Sequence, residues 1–131
     1  MRFLRGFSEP AFLALRVVSG GMFAVHGAQK LFGAFGGQAM TGVPLMLAAG
    51  IIEFAGGLMI ALGLFGDVAA FVASGEMAVA FFMVHAKNGL NPIVNKGEAA
   101  VLYCFLFLYI AARGTGPYSL DRGLRRGAKA P

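Results

Sequence analysis

Four runs of apolar residues, separated by short polar or glycine-rich breaks, organise this 131-residue chain. They run from about Pro10 to Phe32, Val43 to Phe65, Val68 to Ala86, and Glu98 to Ala112. A helix needs about 20 residues to cross a hydrocarbon core. The first two runs meet that length, the third meets it with Glu76 inside, and the fourth is short. Arg113 and Lys96 flank the fourth run and are able to snorkel to opposite surfaces, so it too reads as a span. The breaks carry helix punctuation. Ser8 and Glu9 precede Pro10, and Pro44 opens the second run. Asp67 stands as an N-cap for the third, and Asn95 and Glu98 introduce the fourth. The break around Gly66 is so short that the second and third runs must form an antiparallel hairpin. The pattern predicts an all-α fold, a four-transmembrane-helix bundle forming one domain over residues 1–131.

Composition agrees with that reading. Hydrophobic residues make up 58% and charged residues 13%, against about 45–50% and about 25% in soluble domains. A chain of this size has too little interior to hide so much apolar surface from water. The net charge of +5 is concentrated near the ends, at Arg2, Arg5, Arg113, Arg122, Arg125, Arg126 and Lys129. Only Lys30, Lys87 and Lys96 lie at the other ends of the runs. That asymmetry predicts both termini in the cytoplasm and the longer loops outside. The tail GPYSLDRGLRRGAKAP reads as an interfacial segment with Tyr118 at headgroup level. No basic stripe interleaved with aromatics marks a nucleic-acid surface. The opening MRFLRGF resembles the start of a signal peptide, but Arg16 interrupts the apolar run and no small-residue cleavage motif stands out, so the segment reads as retained. The single cysteine, Cys104, lies within VLYCFLFLYI and reads as a buried, inert thiol.

Ionisable residues inside spans are costly, and they usually face the bundle interior and find partners. At about 1.5 Å per residue, they sort into two layers. Arg16 lies about 10 Å and Glu76 about 13 Å from the cytoplasmic side, with Glu53 near mid-depth. This predicts a buried ion-pair layer of Arg16, Glu53 and Glu76, either clamping the bundle or handling protons. His26 and His85 fall at similar outer depths, with Gln29, Lys30, Lys87 and Glu98 above them. The stretch MFAVHGAQKLFGAFGG ends the first run there, with Lys30 placed to snorkel outward. His26, Gln29, Lys30, His85 and Glu98 are the candidates for ligand or proton handling. Two histidines are too few, and too widely spaced, for a metal signature, so no metal site is assigned. His85 follows Glu76 by nine residues, which puts the two on opposite faces of an ideal helix. They share a seam only where the helix unwinds near HAKNG. Gly20, Gly21 and Gly27 in the first run, and Gly56, Gly57 and Gly63 in the second, allow close helix approach. Glu53, Gly56, Gly57 and Ile60 share a face, so Glu53 points at a neighbouring helix.

The motifs HGAQKLFGAFGG, EFAGGLMIALGLF, SGEMAVAFFMVHA and GEAAVLYCFLFLYIAARGTGPYSLD, in that order, resemble the DoxX family of small four-span inner-membrane proteins. The resemblance runs from Arg16 to Asp121. It places the chain in a bacterial-type inner (plasma) membrane and implies a redox-associated role, since the family's namesake is a small subunit of a thiosulfate:quinone oxidoreductase. The loop after His85 departs from the family pattern, with Lys87 and Asn91 where a proline and an aromatic are expected. On this reading the chain binds quinone or a redox partner complex. His26 and His85 would hydrogen-bond the ring oxygens, and Glu98 or Lys30 would tune them. No intrinsic flavin, haem or iron–sulfur signature is present, so a partner would carry the electron-transferring group. The alternative is a non-catalytic accessory or assembly subunit, packed as a homo-oligomer or within a larger membrane complex. Permeation through an oligomer is disfavoured by the lack of broken helices or repeats.

Overall fold

Helix α1, Ser8–Phe32, is a single 25-residue helix preceded by a 3-10 segment, Arg2–Phe7. In the computed structural model residues 2–127 are described. Lys129 of the basic tail lies outside the described residues. Helix α2 spans Pro44–Leu62, with proline in its first turn as the sequence signals, and α3 spans Gly66–Ala80. Beyond Ala80 the chain stays coiled through a wide π-helical turn, Phe81–His85, and a 3-10 turn, Ala86–Asn88. Helix α4 is Glu98–Arg113, and a short helix α5, Leu120–Gly127, ends the described chain.

Three helical stretches, Phe3–Phe32, Pro44–Leu62 and Gly66–Asn88, are long and apolar enough to cross a membrane by length and composition. Large apolar side chains are exposed around the helices, among them Val18, Leu58, Phe71 and Phe105. In water that exterior would be an aggregation surface; in a bilayer it matches the solvent. The chain is a membrane protein with a helical bundle.

Glycine sets the distance between α1 and α2. A Cβ built on Gly20 would sit 2.7 Å from the Gly57 carbonyl oxygen and the Ala61 nitrogen. One on Gly57 would sit 2.5 Å from the Gly20 oxygen, and one on Gly27 would collide with the backbone of Phe54 and Gly50. Backbone thus meets backbone along a seam of Gly20, Gly27, Gly50 and Gly57, each pair seven residues apart. The glycine pattern in the sequence points to this contact but misplaces part of it. Gly21 and Gly56 have open space where a Cβ would go, and Gly50, which that pattern passes over, belongs to the seam. Helix α4 runs antiparallel to α1, joined by ring contacts of Phe12 with Tyr109 and of Phe23 with Tyr103 and Phe107. It closes the bundle against the small face of α3, where Ala69, Ala70 and Ala73 are buried.

At the end of the bundle holding both described termini, the polar groups form a knot. Arg16 is 1% exposed. Its guanidinium donates to the carbonyl oxygens of Thr115, of Tyr118 at 2.6 Å and of Ala61 at 3.4 Å. The expected pairing of Arg16 with Glu53 or Glu76 does not form. The backbone beyond α4 folds back and supplies acceptors on the spot, and the C-terminal turn of α2 adds both a free carbonyl and the negative end of its dipole. The same return segment caps the hairpin turn. Gly63 adopts φ +68° and Phe65 φ +46°, the latter an unfavourable conformation for a bulky residue. Asp121 holds the turn from both sides: its carboxylate accepts from the Phe65 N–H at 3.0 Å, and its own N–H donates to the Gly63 oxygen at 3.0 Å. Asp67, read as the N-cap of the third helix, instead lies inside α3, which starts one residue earlier, and its carboxylate accepts from the Val68 N–H. Arg113 does not snorkel freely; it pairs with Glu9 and lies over the Phe12 ring, 3.7 Å from its centroid.

This packing predicts the behaviour of two variants. Gly27→Leu should lower the detergent unfolding midpoint sharply, by more than the roughly 1–3 kcal/mol typical of overpacking, because only backbone is available to yield, whereas Gly21→Ala should leave the midpoint unchanged. Arg16→Gln should release the return segment. Trypsin should then cleave at Arg122 several-fold faster, and an unchanged cleavage rate would contradict the knot.

Candidate functional site

At the opposite end, α1, α2, α3 and α4 enclose a cleft of about 570 Å³. Its polar lining is His26, Lys30, Glu53, Glu76, His85 and Tyr103. The remaining wall is apolar, and Leu45 of α2, Val72 and Val79 of α3 and Met83 of the π-helical turn are exposed at its margin. The tight turn joins α2 and α3 at one end, and the cleft is lined by the part of each helix away from that turn, with exposed residues of both at its margin. In a membrane protein that margin faces lipid.

The floor is a buried ion pair. Lys30 of α1 donates to Glu53 Oε1. Glu53 is 2% exposed and Lys30 27%. Outward snorkelling of Lys30 is thereby corrected: its side chain turns inward, because a lone carboxylate at the depth of Glu53 costs more than drawing the ammonium down to it. The glycine seam makes the reach possible. A Cβ on Gly50 would lie 3.2 Å from Lys30 Cβ, so the lysine stem passes over bare backbone one turn before Glu53. Glu76 of α3 lies alongside, half-buried. Among the described residues, Glu53 Oε2 and Glu76 Oε2 have no hydrogen-bond partner. The expected inner layer of Arg16, Glu53 and Glu76 is therefore split: Arg16 belongs to the knot, and both carboxylates belong to the cleft.

His26 and His85 both line this cleft. His26 is exposed and meets Tyr103 edge-on, with ring centroids 6.5 Å apart. His85 Nδ1 lies 3.2 Å from the Asn95 carbonyl oxygen. A carbonyl only accepts, so Nδ1 carries the proton, and the neutral ring keeps Nε2 as its acceptor. Asn95 is itself buried and locked, donating to the Gly89 oxygen at 2.7 Å and accepting from the Gly97 N–H at 2.8 Å. The angular problem between Glu76 and His85 is resolved by the π-helical turn. One extra residue in a turn rotates the downstream side chains by about 100°, which brings His85 round from the far face toward the Glu76 side. The turn seats Phe81 against Gly97, where a Cβ would stand 2.7 Å from the ring.

Gln29 and Glu98 do not line the cleft. Gln29 supports the loop after α1, its Cβ lying 2.6 Å from where a Gly37 Cβ would be, and Glu98 is exposed at the start of α4. Tyr103 and Asn95 are not marked for the site by the sequence. Tyr103 is the one polar-tipped ring in the first half of α4, and Asn95 signals only a helix start. Cys104 is half-buried, and its backbone oxygen accepts from Ser74 Oγ at 2.8 Å. No group of three or more metal-type ligands occurs among the described residues.

The ion pair has a measurable signature. Lys30→Met alone should destabilise the detergent-solubilised protein by roughly 3–5 kcal/mol, since it strands a buried carboxylate, while Lys30→Met with Glu53→Leu should recover most of that loss. Equal losses in the single and double variants would show that the two residues are not coupled.

A protein of Haemophilus influenzae, described as uncharacterized, is 44% identical over an alignment covering 86% of this chain and 90% of its own. No solved structure matches the chain. The DoxX family model matches residues 11–86, a range that holds all but the first three residues of α1, the whole of α2 and α3, and every cleft-lining polar residue except Tyr103. By that match the chain belongs to the DoxX family.

Proposed function

We propose that this chain is a redox-associated subunit of a bacterial-type inner membrane that holds a quinone-like molecule in the cleft. All four long helices cross the bilayer and both termini lie in the cytoplasm. The observation that carries the reading is the cleft itself. It is of ligand size, its exposed margin on α2 and α3 faces lipid, and it sets two histidines, a tyrosine and an ion pair beneath apolar walls. A molecule with a greasy tail and a flat oxygen-bearing ring matches both parts, the tail leaving across that margin. The basic residues at the knot end support the orientation. Helix α4, at about 24 Å, falls short of a hydrocarbon core of about 30 Å. Its pairing of Arg113 with Glu9 supports a span whose ends are drawn into the bilayer with those of α1. Electrons would pass to and from a group carried by a partner protein.

An apolar groove of about 610 Å³ between α1 and α4, lined by Leu15, Val18, Met22, Leu102 and Leu106 among others, favours a second reading. There the chain is a non-catalytic accessory subunit, with a neighbouring membrane helix in that groove.

The quinone reading predicts that protein purified in mild detergent binds a short-tailed quinone analogue saturably, with one site per chain. His26→Ala combined with His85→Ala should weaken that binding at least tenfold while leaving the unfolding midpoint close to that of the parent. Absence of saturable binding by the parent protein refutes the reading.

A further inference from the structure

The polar groups around the cleft are unequal in kind. Lys30 is the strong donor, and one of its three N–H groups is engaged by Glu53 Oε1. Glu53 Oε2 and Glu76 Oε2 are acceptors without partners among the described residues. The Glu53 side chain is 2% exposed and lines the cleft, so water does not readily meet that need. His85 Nδ1 donates to the Asn95 carbonyl oxygen, and in a neutral imidazole with that proton placement Nε2 is an acceptor. The buried atoms left without partners around this space are thus carboxylate acceptors, with His85 Nε2 as a third acceptor beside them. A buried acceptor left unmet costs about 1–3 kcal/mol. A ligand that brings O–H groups removes that cost, and one that brings only carbonyl oxygens does not.

We propose that the cleft selects the dihydroxy, reduced form of a lipophilic aromatic ring over its dicarbonyl, oxidised form. The inference rests on the quinone-class reading above and adds the redox state that the site recognises. Ring hydroxyls donate to the unpartnered carboxylate oxygens and to His85 Nε2. The ring lies against His26 and Tyr103. An ammonium headgroup would also donate, but Lys30 in the same cleft opposes a second cation, and the His26 and Tyr103 rings suit a flat ligand. Asn95 acts as a positioning residue, since it fixes which nitrogen of His85 remains to accept.

The test is anaerobic equilibrium binding of three probes to the detergent-purified full chain: a short-tailed hydroquinone, the matching quinone and the hydroquinone's dimethyl ether. The hydroquinone should bind at least tenfold more tightly than either of the others. The midpoint potential of the bound couple should then rise by about 30 mV for each tenfold preference. Glu76→Gln keeps the side-chain shape but replaces one acceptor oxygen with a donor, and should cut the preference to below about threefold while the quinone still binds. Equal or tighter binding of the quinone, or binding of the ether as tight as that of the hydroquinone, overturns the inference and leaves the quinone-class reading standing. A tenfold preference that survives both Glu76→Gln and His85→Phe overturns the assignment to these acceptors. Failure of all three probes to bind removes both readings together.

Discussion

Direct backbone contact between α1 and α2 is the constraint on which the cleft depends. With Gly20, Gly27, Gly50 and Gly57 in the seam, no side chain holds these helices apart. In lipid, where burial of apolar side chains gives little drive for helix association, such close approach supplies the packing energy. It also fixes position. A seam of backbone on backbone tolerates little sliding, so Lys30 is placed one turn from Glu53 without adjustment of either helix. Had the helices been spaced by leucines, the lysine stem would have met side chains at the level of Gly50. The ammonium would then have had an easier path outward to the surface than inward to the carboxylate.

The two ends of the bundle solve the same problem in opposite ways. Both must place charged groups within apolar surroundings. The end with the described termini does so by closure: Arg16 gathers carbonyl oxygens from the return segment, and Asp121 ties that segment to the hairpin turn. Both ends leave some polar demand unmet among the described residues, Arg16 Nε and Glu9 Oε2 at the closed end and one oxygen each of Glu53 and Glu76 at the cleft end. At the cleft end α3 gives way to a π-helical turn, and the two carboxylates keep oxygens without partners. Wide turns of this kind recur at functional sites, because they re-aim side chains at the cost of regular hydrogen bonding. Here the turn carries His85 toward the cleft, and the locked Asn95 loop keeps it there.

Much of this is legible in the sequence, and the misses share a cause. Hydropathy locates every long helix to within a few residues, because the bilayer imposes length and apolarity directly on the chain. Depth counting places His26 and His85 at one level, and the periodicity argument identifies the place where α3 has to unwind. Charge pairing is less legible. Arg16 invites pairing with carboxylates because side-chain charges are visible in a sequence, whereas backbone carbonyls delivered by a fold-back are not. Lys30 points outward on sequence grounds because its position near a helix end is the usual setting for snorkelling. Its inward turn depends on Gly50, a residue on another helix whose missing side chain matters only once the helices are docked. Tyr103 is hidden for a similar reason: within an apolar run, nothing marks which ring faces the cleft.

The persistence of a charged pair in this setting is itself informative. Charges inside a bundle are a poor means of stabilisation, since apolar residues of similar volume often hold helices as well or better. Here the glycine seam already fixes the register of α1 against α2, so the pair is not needed to specify it. What Lys30 and Glu53 add is a polar floor that apolar packing cannot supply. One carboxylate oxygen is held by the ammonium, and the other stays beside the cleft with its hydrogen-bonding capacity unused. A neutralised carboxylate is a better recognition element in lipid than a free one. The pair carries little net charge, so it does not draw in ions or water strongly, while its remaining acceptor keeps a direction. On the proposed reading the buried pair is part of the binding surface, with the seam carrying the stability that lets it remain there.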